Sequence, residues 1–110
     1  VTGIGIFLGA NDVSSATFVD HIAHMADLVG AEHVGIALDY AFEAEGLDGL
    51  TTANPAYWPP EEYGVKGVEF VPPEQLPEIT ETMVARGFED REILGILGGN
   101  FLRVASRVWK

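Results

Sequence analysis

The chain has 110 residues, 47% hydrophobic and 21% charged, a balance that suits one folded domain with a single modest core and argues against disorder. A net charge of −11 with no basic run argues against nucleic acid or an anionic membrane surface as partner. No apolar run approaches the roughly 18 residues that span a bilayer, and the absence of cysteine removes disulfides, thiolate zinc sites and a Cys nucleophile.

The first residues, Val1-Thr2-Gly3-Ile4-Gly5-Ile6, carry no initiator Met and no charged signal region, and they read as mid-strand. A fragment of something longer is the expectation. Residues 2–8 are β-branched and apolar, with Gly3 and Gly5 inside the run as marks of close backbone approach or a bend. Gly9-Ala10-Asn11-Asp12 is turn chemistry. A helix over 17–29 follows, capped by Ser15 or Thr17, with Phe18, Ile22, Met25, Ala26 and Val29 as its apolar stripe and Gly30 as its C-cap. Residues 34–38 then form a short apolar run without alternation, which suits a strand buried on both faces. The order β-α-β with short connections predicts parallel strands and a right-handed crossover.

Regular patterning stops over 40–73, a stretch with Tyr40, Phe42, Tyr57, Trp58, Tyr63 and Phe70 and five of the six prolines. Its aromatic content argues against disorder and points to a structured flap over the mouth of a site beside Asp39, ahead of a purely structural loop. Pro73 opens a helix over 74–86 with Leu76, Ile79, Met83 and Val84 as its stripe. A last helix over 90–108 buries Ile93, Ile96, Leu97, Phe101, Val104 and Val108, with a kink or close contact at Gly98-Gly99.

Asp39 stands where the second strand ends, the place where parallel α/β folds gather ligands and catalysis. It suits a metal ligand or general acid/base, or equally a turn cap. His21 and His24 share a helix face but have no third ligand near them in sequence, and read as structural. His33 reads the same way. Asn100 and Arg103, three apart, are expected to tie the last helix to a neighbouring carbonyl or carboxylate. No phosphate loop or nucleophile elbow is present.

His33-Val34-Gly35-Ile36-Ala37-Leu38-Asp39-Tyr40 resembles the motif around a metal-site aspartate in the renal (membrane) dipeptidase family, peptidase family M19, and is closer to its bacterial branch. Asp20-His21-Ile22, Phe70-Val71-Pro72-Pro73-Glu74-Gln75-Leu76-Pro77 and Gly98-Gly99-Asn100-Phe101-Leu102-Arg103-Val104 extend the resemblance, in order, over nearly the whole chain.

The resemblance implies an α/β fold: the last two β/α units and closing helices of a (β/α)8 TIM barrel of the metal-dependent hydrolase type. It implies a zinc-dependent dipeptidase with two divalent ions, in which a metal-bound hydroxide attacks the peptide bond of a dipeptide. Asp39 would ligate one zinc and assist proton transfer to the leaving amine. The family's other ligands, an early His-x-Asp pair, a bridging Glu and two further His, have no matching position here, nor has its substrate-binding arginine. Mammalian members carry a second acid and a glycine after the aspartate, where this chain has Tyr40-Ala41-Phe42. The expected partners are thus a dipeptide substrate and the remainder of the barrel. The full protein is expected as a homodimer in the bacterial cytoplasm. Two alternatives stay open: a non-catalytic small α/β fragment or interaction domain, and another barrel metallohydrolase acting on amides or lactones.

Overall fold

A computed structural model describes residues 1–42, 49, 52–63 and 67–110. Residues 1–5 run between two other stretches of chain. On one side Gly3 N–H donates to Ala37 O at 2.9 Å and Ala37 N–H donates to Val1 O at 2.9 Å, around a parallel bridge between Thr2 and Ala37. On the other side Val71 N–H donates to Gly3 O and Gly5 N–H donates to Glu69 O, both at 2.8 Å, around an antiparallel bridge between Ile4 and Phe70. The two glycines permit this crowding. A Cβ at Gly3 would lie 2.7 Å from Leu38 O, and one at Gly5 would lie 2.5 Å from Asn11 Oδ1.

The expected strands over 2–8 and 34–38 do not form at those lengths, and among the described residues extended pairing goes no further than these two bridges. After Ile4 the chain turns into a short helix, α1 (Gly5–Leu8), with Phe7 N–H donating to Ile4 O at 3.0 Å. Ile6 and Leu8 are buried there, and Phe7 points out. An apolar run without alternation is compatible with either structure. Past Gly5 the backbone meets its hydrogen-bonding needs locally instead of across a ladder. The chain then reverses through Gly9, Ala10 and Asn11, all at positive φ (92°, 50° and 58°). Residues 34–38 follow a 3₁₀ turn (Ala31–His33), and only Ala37 makes a bridge. The order and parallel sense of the predicted β-α-β unit are present, but its sheet is not.

The connecting helix, α2 (Ser15–Val29), begins two residues earlier than expected. Ser14, not Ser15 or Thr17, caps it, its Oγ accepting the Thr17 N–H at 3.3 Å. The Asp12 carboxylate accepts from the Thr17 hydroxyl and from Ser14 N–H. These bonds, the one from Thr17 first, hold the Asp12 carboxyl below its ordinary pKa of 3.8. Gly30 ends the helix at φ 89°, donating to Ala26 O at 2.8 Å. Phe18, Val19 and Ile22 are fully buried, but Met25 and Val29, expected on the same stripe, are exposed.

The stretch expected as a loop over 40–73 contains a short helix, α3 (Pro60–Tyr63), and ends in a 3₁₀ turn (Pro73–Gln75). Residues 43–48, 50–51 and 64–66 lie outside the described residues, and with them much of the expected flap. The helix predicted over 74–86 is α4 (Leu76–Ala85), because the Pro73 turn occupies its first residues. Gln75 Nε2 ties its start to α2, donating to Val13 O and to the buried Ser15 Oγ, each at 2.9 Å. At its end Phe88 N–H reaches Met83 O at 3.1 Å and Gly87 N–H reaches Val84 O at 3.0 Å, a Schellman arrangement with Gly87 at φ 90°. Ile79 and Met83 pack with Phe18, Val19, Ile22, Val71 and Ile96 in the core, while Val84 faces out. Arg86 pairs with Asp20 across the α2–α4 surface.

The helix predicted over 90–108 is broken. α5 (Asp90–Leu94) starts from a Glu89–Glu92 capping box, a π-turn covers Gly95–Gly99, and α6 (Asn100–Val108) follows. Gly98 adopts non-helical angles, φ 159° and ψ −22°, at the expected kink. A π-turn holds one residue more than an α-turn, so everything after it is rotated by about 100°. Ile93 and Ile96 therefore reach the core, but Leu97, Phe101, Val104 and Val108 of the same predicted stripe do not. No helix among the described residues is long and apolar enough to cross a membrane.

Truncating Phe18 to Ala should cost about 3–5 kcal/mol in a denaturant titration, because the ring is fully buried between α2 and α4. Asp12 should titrate below 3.8 when followed by NMR. Its lowered folded-state pKa stabilises the fold above the unfolded value, and that contribution is lost as pH falls through the folded value. Thr17→Val should bring the midpoint back toward 3.8.

Candidate functional site

Asp39 comes two residues after the parallel pairing of residues 1–3 with 35–37, at the carboxyl end of that pairing. Its side chain is exposed and its backbone sits at φ 52°. Aspartate tolerates this left-handed region better than most residues, and the turn aims the chain away from the pairing after Leu38. Thr2 Oγ1 donates to Asp39 Oδ2 at 3.1 Å. Thr2 is itself the bridge residue opposite Ala37, so the pairing that aligns the two stretches also places the hydroxyl that orients the carboxylate. Thr2 was not singled out from sequence. Parallel pairing of the two apolar runs was the signal that could have brought it beside Asp39.

Aromatic rings gather next to this carboxylate. Tyr40 meets Phe42 edge-on at 5.1 Å between ring centres and 86° between planes, and meets Phe70 at 6.2 Å and 76°. Phe70 arrives through its bridge to Ile4, on the opposite flank of residues 1–5.

The three histidines do not join Asp39 in a ligand set. His21 Nε2 lies 3.0 Å from Leu8 O, and His21 and His24 line a cavity of about 240 Å³ with Val1, Thr2, Phe7, Leu8 and Met25. His33 is exposed beside Glu32, 3.6 Å away. Among the described residues no three His, Asp or Glu side chains cluster in a way that could hold a metal ion. Asp39 could offer one oxygen ligand, so these residues do not form a zinc site by themselves.

Asn100 and Arg103 act on backbone carbonyls, as their spacing predicts. Asn100 Nδ2 donates to Ala31 O at 2.9 Å and to Val34 O at 2.7 Å, and Arg103 donates to Glu32 O. They fix α6 against the segment that leads into Asp39. Phe101 lies over Gly35 so closely that a Cβ there would meet its ring at 2.4 Å.

Comparison with known proteins places this arrangement in a family. The chain is 30% identical over 99 residues to Dipeptidase aclJ of Aspergillus oryzae, a match over 90% of this chain and 19% of that protein. The chain is a dipeptidase-family segment. Dipeptidase ataJ of Aspergillus terreus is 28% identical over 97 residues, 88% of this segment and 19% of that protein. Dipeptidase 3 of the mouse is 27% identical over 96 residues, 84% of the segment and 15% of that protein. The dipeptidase segment thus spans 15–19% of the length of these curated relatives. No family model and no solved structure matches it.

Thr2→Val should remove the hydroxyl that holds the Asp39 carboxylate. The expected loss is about 0.5–1.5 kcal/mol in chemical denaturation, the usual net value of one hydrogen bond. A variant as stable as the parent would mean that this contact contributes nothing to the pairing.

Proposed function

We propose that this segment contributes Asp39 to the active site of a metal-dependent dipeptidase, which hydrolyses the peptide bond of dipeptides. The observation that carries the reading is the match to three dipeptidases along 84–90% of the chain. The position of Asp39 supports it: an exposed carboxylate at the carboxyl end of a parallel pairing, on a left-handed backbone turn. The wider architecture proposed is a (β/α)8 barrel in which residues 1–5 and 35–38 belong to neighbouring strands. The parallel Thr2–Ala37 bridge, with α2 in the connection between its two partners, supports that placement.

The apolar residues left open on and just after α6 support a further body of protein around the segment. Phe101, Leu102, Val104 and Val108 on the helix and Trp109 beyond it are all at least half exposed, as is Leu28 at the end of α2. Asp39 would share a zinc site, of two ions in the complete enzyme, with ligands carried outside this segment. The chemistry that such ions supply is the ionisation of water near neutral pH. The part assigned to this chain is the Asp39 carboxylate, held by Thr2, taking the proton of the attacking water and passing it to the leaving amine.

A structural reading rests on the same Thr2–Asp39 bond, with the carboxylate serving as a turn anchor. Asp39→Asn separates the two, because an amide oxygen can still accept from Thr2 while the charge is gone. In the complete enzyme this change should lower kcat on dipeptides by about 10²–10⁴-fold and reduce bound metal measured by elemental analysis. The thermal midpoint should stay near that of the parent. Full activity and metal content in this variant would leave Asp39 with the structural role alone.

A further inference from the structure

The proposed site explains Asp39 but leaves the rings beside it without a task. Phe42 is 89% exposed and lies only three residues after the carboxylate. A single exposed hydrophobic residue needs no explanation. Here, however, Phe42 is the end of a row of three rings, Tyr40 touching both it and Phe70 edge-on. Edge-to-face contacts fix ring orientation and set up a rigid apolar surface. The rings come from two separate stretches of chain: Tyr40 follows Asp39, while Phe70 is held through the Ile4 bridge and the bond from Val71 N–H to Gly3 O at 2.8 Å. Residues 1–5 thereby set the carboxylate and the ring cluster at one place on the surface.

We propose that Tyr40, Phe42 and Phe70 form a subsite for an apolar or aromatic side chain of the dipeptide whose peptide bond is cleaved beside Asp39. This rests on the dipeptidase reading. A dipeptide has few atoms with which to bind, and its side chains are the parts that distinguish one from another. Phe70 is partly buried and fixed, Tyr40 is 38% exposed and held between the other two rings, and Phe42 is open to solvent. The cluster therefore offers a firm base with an exposed outer ring, which a substrate side chain can cover. Apolar complementarity of this kind discriminates by about 10-fold or somewhat more per group.

The test uses the complete enzyme that carries this segment, with Phe42→Ala and Phe42→Leu compared with the parent. Substrates are glycylglycine, which has no side chain, and dipeptides of leucine and phenylalanine. Phe42 contributes no buried surface to the core, so both variants should keep the parent's thermal midpoint. Phe42→Ala should reduce kcat/KM on the leucine and phenylalanine dipeptides about 10-fold and leave glycylglycine within about two-fold. Phe42→Leu should restore most of the loss. An equal fall on all substrates, or no change on any, would overturn the subsite while leaving the dipeptidase reading in place. A parent enzyme that cleaves no dipeptide would overturn that reading and the subsite with it.

Discussion

Everything near Asp39 depends on residues 1–5 bonding to chain on both flanks. The parallel side sets the register against 35–37 and puts Thr2 within reach of the carboxylate. The antiparallel side brings in 69–71, and with it Phe70. Both sides require the small residues at 3 and 5, because Leu38 O and the Asn11 side chain occupy the space a Cβ would fill. Asn11 extends the same pinning. Its amide donates to Gly67 O at 2.6 Å and its oxygen accepts from Glu69 N–H at 3.0 Å, so the turn after α1 grips the returning chain as well.

The helical frame supports this arrangement from behind. α2 and α4 share the buried residues Phe18, Ile22, Ile79 and Met83, and Val34 and Val71 join that core from the two flanks of residues 1–5. The carboxylate is exposed, but the backbone that carries it is anchored one turn away in tightly packed protein. Asn100 adds a polar anchor of a different kind. One amide group donates to two carbonyls: that of Ala31, which also accepts the Val34 N–H that closes the 3₁₀ turn, and that of Val34 just past the turn.

Much of this was legible in the sequence, and the parts that were not share physical causes. Helical periodicity located α2 and α4, because Phe18, Ile22, Ile79 and Met83 repeat at the spacing of one helix face. Gly30 marked the end of α2, because only a residue tolerant of positive φ closes a helix so tightly, and Gly87 closes α4 in the same way. The resemblance to dipeptidases was likewise visible in the run ending at Asp39. The strand lengths were not legible: an apolar run tells that a segment is buried or meant to be covered, but a ladder depends on neighbours that its own residues do not encode. The burial of the last helix failed for a related reason. The periodic stripe from Ile93 to Val108 is continuous in sequence, and the extra residue of the π-turn at Gly95–Gly99 splits it into a buried half and an open half. Asn100 and Arg103 occupy the inward side that periodicity assigned to apolar residues.

The chain leaves the site at Asp39 and returns to it at Phe70, and both points are tied to the same five residues. What lies between is closed into a loop by bonds that do not belong to it. The entropy of closing such a loop grows only with the logarithm of its length, about 0.6 kcal/mol for each doubling. The intervening segment could therefore change in length and composition at little cost to the geometry of the carboxylate. The chain around the carboxylate can thus vary while the carboxylate stays in place.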